Sequence, residues 1–123
     1  MMMKKYNGID LFCGIGGFRL AMERNNVECV FSSDNDRFAQ QTYKANFHEI
    51  PTGDIKDIEA KDIPHFDILT AGFPCQPFSY AGEKQGFNDE VRGTLFFDVC
   101  RILEYHKPPM VFLENVKGLK SHD

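Results

Sequence analysis

Cys75 is the residue whose neighbours most favour covalent chemistry. It lies between two prolines in residues 72–79, GFPCQPFS, directly after an apolar run at residues 66–71. The glycine and the prolines are expected to end that strand abruptly and to hold the thiol in a stiff turn, because each proline restricts its own φ and the residue before it. A thiol presented at the end of a strand can act as a nucleophile. The alternative is a small buried apolar residue, the common environment of a free cysteine.

Glu114 is the acid that could act together with this thiol. It ends an apolar run at residues 110–113, where we expect it to be desolvated, so that its pKa rises and it can donate a proton near neutral pH. The carboxyl ends of parallel strands share one edge of a sheet, so Glu114 and Cys75 are predicted to face the same crevice. The alternative is a carboxylate paired with Lys117 or with a backbone N–H.

A glycine turn with a distant acid forms a second pattern. Gly14, Gly16 and Gly17 follow a predicted strand and precede a predicted helix, and Asp34 lies 18 residues after Gly16. A turn of this kind lets the backbone approach a ligand, and an acid about 20 residues on normally binds ribose hydroxyls. Together they favour a ribose-bearing ligand, with Asp54 expected at its adenine side. The alternatives are a turn that only permits tight packing and a solvated Asp54.

Strands and helices alternate along the chain, which predicts a doubly wound parallel α/β sheet. Strands are expected at residues 6–12, 27–33, 66–71 and 110–113, and helices at 18–25, 37–46 and 94–105. Residues 51–55 are predicted as a loop or a short edge strand, and residues 72–92 as an irregular, functional loop. Asp36 is expected to cap the second helix. The helical spacing selects Phe38, Gln41, Thr42 and Ala45 in that helix, and a buried face of Leu95, Phe96, Val99, Ile102 and Leu103 in the third.

Composition limits the class of protein. The chain has 123 residues, 42% of them hydrophobic, which indicates one globular domain. Its four cysteines are scattered, so neither a zinc site nor a disulfide framework is predicted, and a reducing cytoplasm is favoured. No signal peptide or membrane-spanning segment is expected. A net charge of −4 provides no electrostatic surface for nucleic acid in these residues.

Three motifs occur in a fixed order: DLFCGIGGF at residues 10–18, GFPCQPFS at 72–79 and ENV at 114–116. With them the chain resembles the DNA cytosine-5 methyltransferases, particularly the bacterial enzymes of restriction-modification systems. The resemblance covers nearly the whole chain. It implies the N-terminal part of a doubly wound, S-adenosylmethionine-binding catalytic domain, cut before the later strands and the target-recognition domain.

The resemblance also implies roles for individual residues. Asp34 would bind the ribose hydroxyls and Asp54 the adenine amino group, while Asn35 occupies a position where the family often has a large residue that stacks on adenine. Cys75 would attack C6 of a flipped cytosine while Glu114 shares a proton with N3. The full set of cofactor positions is Phe12, Gly14, Gly16, Asp34, Asn35, Asp54, Ile55 and Leu95, and Gln76, Ser79 and Arg92 belong to the loop that would close over the base.

The expected partner is double-stranded DNA, bound through the complete enzyme. This chain alone is expected to be inactive and to self-associate or pair with a complementary C-terminal chain, because its sheet would present an apolar edge. Three alternatives stay open: a tRNA cytosine-5 methyltransferase, a non-catalytic remnant that binds the cofactor or a partner, and a thiol redox role.

Overall fold

The computed structural model describes residues 5–74 and 95–116, which form a parallel sheet with helices on both faces. The four strands, in the spatial order β2-β1-β3-β4, are β1 Tyr6–Leu11, β2 Val27–Ser33, β3 Ile68–Pro74 and β4 Met110–Val116. Every pairing is parallel. The doubly wound parallel α/β fold that the sequence predicts is therefore confirmed.

Three helices and two short 3₁₀ turns connect the strands. The helices are α1 Gly17–Arg24, α2 Arg37–Phe47 and α3 Leu95–His106, and the turns are Ile55–Asp57 and Ala60–Asp62. Asp36 caps α2 as expected, since its side chain accepts a hydrogen bond from the Phe38 N–H at 3.0 Å.

The apolar core lies between the sheet and α3. Ile9 and Leu69 from the strands and Val99 and Ile102 from α3 are all fully buried there. Strand side chains alternate between faces, so Gly8 points to the opposite face. A Cβ atom at Gly8 would lie 3.0 Å from the Met22 sulfur, so the missing side chain lets α1 approach the sheet.

The expected end of β3 is wrong. The strand continues past Ala71 to Pro74, because its pairing with β4 extends from Ile68 to Pro74. Its pairing with β1 stops at Ala71. Among residues 5–74 and 95–116, the last part of β3 thus has a paired strand on one side only, where a proline is tolerated in a strand.

The helical spacing of α2 does not identify its buried residue. Phe38 is 76% exposed, and the residue of α2 that is buried is Tyr43. The Tyr43 ring packs on Phe47 at 4.9 Å, and its hydroxyl accepts a hydrogen bond from Arg19 at 3.1 Å. The other selected positions of α2, Gln41, Thr42 and Ala45, are exposed.

In α3 the expected face is right at Val99 and Ile102 but wrong at Phe96, which is 46% exposed. Asp98 is buried in this helix instead. Its carboxylate forms ion pairs with Lys56 and Arg101, which compensate for the burial of its charge.

Candidate cofactor crevice

A crevice of about 430 Å³ opens where β1, β2 and β3 end. Clefts of this size are typical of small-molecule sites, and the carboxyl ends of the strands are where open α/β sheets bind ligands. Its lining residues are Phe12, Gly14, Ser33, Asp34, Asn35, Asp36, Asp54, Ile55, Gly72 and Leu95. Seven of the eight predicted cofactor positions are in this set, and Gly16 is the exception.

The turn after β1 forms the floor of the crevice. Phe12, Gly14 and Gly16 have φ angles of 54°, 57° and 102°, in the left-handed region that glycine adopts at little cost. A Cβ atom at Gly14 would meet nothing within 4 Å, so open space lies in front of this backbone. Gly16 serves packing, since a Cβ atom there would overlap the Phe47 ring. In this turn, Gly14 thus leaves its backbone open to a ligand, while Gly16 allows close packing against Phe47.

Asp34 is held by backbone donors. Its Oδ2 accepts the Gly14 N–H at 2.8 Å, and its Oδ1 accepts the Asp36 N–H at 2.8 Å. Each carboxylate oxygen has a further lone pair, so the side chain can still accept hydrogen bonds from ligand hydroxyls. The glycine turn and the acid of the sequence pattern are therefore bonded to each other at one site.

The segment after α2 lines another side of the crevice. Thr52 makes an isolated parallel bridge with Ser33, so residues 51–55 are closer to a loop than to a strand. The Ser33 hydroxyl donates to the Gly53 carbonyl at 2.6 Å, and the Asp54 carboxylate accepts the Lys56 N–H at 3.0 Å. These bonds fix Asp54 beside the crevice.

Glu114 lies across the sheet from the crevice residue Gly72, its partner in the β3–β4 register. A Cβ atom at Gly72 would lie 3.6 Å from Glu114 Oε1. Glu114 is exposed, however, so the expected desolvation is wrong for the chain as the structure shows it. The reason is that β4 lies at the outer edge of the described sheet.

Cys75, Gln76, Ser79 and Arg92 lie outside the described residues. The structure places only the end of β3 at Pro74, immediately before Cys75. The catalytic assignment of the thiol therefore stays a prediction.

The three described cysteines contrast with a reactive thiol. Cys13, Cys29 and Cys100 are free, and burial is the main cause that raises the pKa of each. Nearby Asp10 raises the pKa of Cys13 and Cys29 further. A higher pKa lowers the thiolate fraction and with it the nucleophilicity at neutral pH.

Asp10 is a buried acid that the sequence patterns do not single out. It is fully buried in β1, and burial raises its pKa to about 7, although the Thr70 hydroxyl donates to its Oδ1 at 2.9 Å. Its Oδ2 has no hydrogen-bond partner within residues 5–74 and 95–116. The sequence patterns also do not identify Ser33, Asp36 and Gly72 as lining residues. Ser33 ends a predicted strand, Gly72 directly follows one and Asp36 precedes a predicted helix, positions that could have identified them.

Over the described part of the chain, no helix is long and apolar enough to cross a membrane. Nor do the described side chains bring together three acidic, histidine or cysteine residues that could hold a metal ion.

Comparisons with known proteins identify the family. The family model for the C-5 cytosine-specific DNA methylases matches residues 6–123. The Type II methyltransferase M.DsaV of Dactylococcopsis salina is 56% identical over 123 residues, which are all of this chain and 35% of that protein. M.HpaII of Haemophilus parainfluenzae is 59% identical over 122 residues, covering 98% of this chain and 34% of that protein. The chain thus spans about a third of the length of these relatives.

Solved structures give the same result. The S. pombe Dnmt2 methyltransferase superposes with a TM-score of 0.71 at 25% identity, over 94% of this chain and 38% of that one. A putative DNA modification methyltransferase from an E. coli prophage gives a TM-score of 0.68 at 26% identity, over 96% and 34%. The family resemblance in the motifs is therefore confirmed. The chain belongs to the C-5 cytosine-specific DNA methylases, a family of S-adenosylmethionine-dependent enzymes.

Proposed function

We propose that the protein methylates C5 of cytosine in double-stranded DNA as the modification enzyme of a restriction-modification system. The observation that carries this proposal is the single crevice in which the Gly14–Asp34 pair, Asp54 and Leu95 meet beside Gly72, the register partner of Glu114. S-adenosylmethionine, when bound there, supplies the methyl group. On this function the protein would act in the cytoplasm, where the three free cysteines of the described residues would stay reduced.

The crevice fits this cofactor in its chemistry. Asp34 has free lone pairs for the ribose hydroxyls, and Asp54 offers a carboxylate acceptor for the adenine amino group. Asn35 lies between them in sequence, exposed at the crevice wall. Gly14 leaves room for the ligand to approach the backbone. Phe12, Ile55 and Leu95 supply the apolar surface on which the rest of the ligand would lie.

The chain's own groups would activate the base. Cytosine C5 is a poor nucleophile, so the Cys75 thiolate forms a bond to C6 while Glu114 shares its proton with N3, which gives C5 enamine character. After C5 has taken the methyl group, loss of the C5 proton returns the electron pair to the ring and expels the thiolate. The base must be flipped out of the duplex for this attack, and Gln76, Ser79 and Arg92 lie in the loop proposed to close over it.

Calorimetry with S-adenosylhomocysteine tests the cofactor site. Asp34→Ala should weaken binding by about tenfold or more, because hydrogen bonds to a charged acceptor contribute about 1.5–3 kcal/mol. Asp62→Ala removes an exposed carboxylate that does not line the crevice and is the matched control. Equal affinity of wild type and Asp34→Ala would remove Asp34 from the site.

We further propose that the described part of the chain needs a complementary segment for activity. A second groove of about 590 Å³, lined by Phe18, Met22, Ile68, Met110 and Phe112, leaves the α1 side of β3 and β4 open. Apolar surface of this kind favours association. The net charge of −4 also gives the chain no overall attraction for phosphates, whose contacts supply most non-specific affinity for DNA.

Complementation tests the reaction and the partner together. The chain would be mixed with the remaining two-thirds of M.HpaII, expressed as a separate polypeptide, and assayed with duplex DNA or tRNA as methyl acceptor. We expect methylation of duplex DNA by the mixture alone, and a covalent adduct on 5-fluorocytosine DNA that Cys75→Ser abolishes. Methyl transfer by the 123-residue chain alone, above Cys75→Ala, would contradict the need for a partner. Methylation of tRNA only would contradict the proposed substrate.

A further inference from the structure

Asp98 is a buried acid one helical turn after the crevice residue Leu95. It is 4% exposed, and each of its carboxylate oxygens has a cationic partner. Oδ2 lies 3.1 Å from Lys56 Nζ, and Oδ1 accepts from Arg101 Nε at 3.0 Å. The acid therefore links α3 to the 3₁₀ turn Ile55–Asp57.

Arg101 closes this link into a ring. Its Nη2 donates to the Ile55 carbonyl at 2.7 Å, so one guanidinium binds both the Asp98 carboxylate and the backbone of the turn. Lys56, which binds Asp98 through its side chain, belongs to the same turn, and its backbone N–H donates to Asp54 at 3.0 Å. Lys56 and Arg101 thus donate hydrogen bonds to Asp54 and Ile55, two residues that line the crevice.

The energetics favour a positioning role over a purely stabilising one. A buried ion pair gains little net stability, because desolvation of the charges offsets their attraction. Lys56 is 40% exposed in its side chain, so its ion pair is further weakened by solvent. The arrangement does fix geometry, since the planar guanidinium holds two acceptors at set directions.

We infer that Asp98, through Arg101 and Lys56, positions Asp54 and Ile55 to recognise the 6-amino edge of the ligand's purine. A carboxylate can accept a hydrogen bond from an amino group but repels the oxygen of a 6-oxo purine. How well a carboxylate discriminates between these two purines depends on where it is held. This inference rests on the proposed cofactor site, and it assigns Asp98 a role at one end of the ligand.

Hydrogen exchange tests the link without any ligand. The N–H groups of Asp57 and Ile58 bond to the carbonyls of Asp54 and Ile55 at 3.0 and 3.1 Å. In Asp98→Asn we expect these two amides to exchange several-fold faster than in wild type, with β1 amides unchanged. Glu104→Gln, an exposed change on the same helix, should leave all of them unchanged. Unchanged exchange in Asp98→Asn, or equal acceleration throughout β1, would overturn the local role.

Ligand discrimination tests the consequence. Calorimetry would compare S-adenosylhomocysteine with S-inosylhomocysteine, which carries a 6-oxo group. Asp98→Asn and Arg101→Lys should each reduce the preference for the adenosyl ligand several-fold, whereas Asp34→Ala should weaken both ligands equally. Full discrimination in Asp98→Asn, with normal binding by wild type, would overturn this inference alone. Failure of wild type to bind either ligand would overturn the proposed cofactor site and this inference with it.

Discussion

The two outer strands of the described sheet are in opposite environments. β2 is supported by α1 and by the segment at Thr52, and its residues Ser32 and Ser33 are 8% and 1% exposed. In β4 the four residues from Met110 to Leu113 are between 37% and 52% exposed. The exposed stretch MVFL of β4 is more apolar than the β2 sequence VECVFSS, so composition does not account for the difference. It arises from what packs against each strand.

On the proposed function, the contrast separates the ligand site from the acid that would act on the base. The crevice beside β2 has its walls, its floor and the hydrogen bonds that hold Asp34 within the described residues. Glu114 on β4 is exposed in the described part of the sheet. On the proposed function, a segment that packs on β4 would have to desolvate this acid before it can act on a base.

A pair of leucine truncations on neighbouring strands should show the largest effect. Leu69 in β3 is fully buried and Leu113 in β4 is 45% exposed, and both lie on the α3 face. Leu69→Ala should lower the free energy of unfolding by about 3 kcal/mol, through lost burial and a cavity. Leu113→Ala should lower it by about 1 kcal/mol or less. Urea denaturation of the two variants measures both, and equal losses would refute the contrast.

Gly16→Ala tests the packing behind the glycine turn. The left-handed φ of 102° and the overlap with Phe47 both oppose a side chain, so we expect a loss of about 2–3 kcal/mol in unfolding free energy. Gly17→Ala is the matched control. Its Cβ atom would meet nothing within 4 Å and it starts α1, so it should be neutral or slightly stabilising. A neutral Gly16→Ala would show that α2 can move away at little cost.

Asp10, buried in β1, should make the free energy of unfolding depend on pH. Its pKa is raised from 3.8 to about 7, so the folded state binds more protons than the unfolded state between these values. The stability that this pKa shift contributes is therefore fully present below about pH 4 and is lost as the pH rises toward 7. Between pH 5 and 6.5 the unfolding free energy of wild type should fall by about 2 kcal/mol more than that of Asp10→Asn. Parallel pH profiles of the two proteins would contradict this.

Asn35→Phe should have the smallest effect and acts on the crevice alone. Asn35 is exposed at the crevice wall, where an aromatic ring could stack on the proposed adenine. We expect S-adenosylhomocysteine to bind several-fold tighter, a gain of about 1 kcal/mol. Asn46→Phe on the exposed side of α2 should leave the affinity unchanged. Unchanged affinity in Asn35→Phe would show that the ligand does not pass this residue.

The sequence predicts what local patterns control. All four strands, the three helices and the Asp36 cap follow from apolar periodicity and capping chemistry. The crevice was predictable because glycine turns and acids at strand ends meet at one edge of a parallel sheet.

The errors occur where partners distant in sequence decide the outcome. Tyr43 replaces Phe38 on the buried face because Arg19, from another helix, satisfies its hydroxyl. Asp98 is buried because cations 42 residues before it and three residues after it compensate its charge. The exposure of Glu114 depends on which elements lie beyond β4, and no pattern within residues 110–116 contains that information.

The β3–β4 register restricts how genes of this kind can change in length. Glu114 stands opposite Gly72, a residue that lines the crevice. Inserting or deleting one codon between Met110 and Leu113 would turn it to the other face of the sheet. A change of two codons would restore the face but move the acid about 7 Å along the strand, away from its position opposite Gly72. On the proposed function, variation in this stretch can therefore accumulate by substitution, while a change in its number of residues would displace the acid.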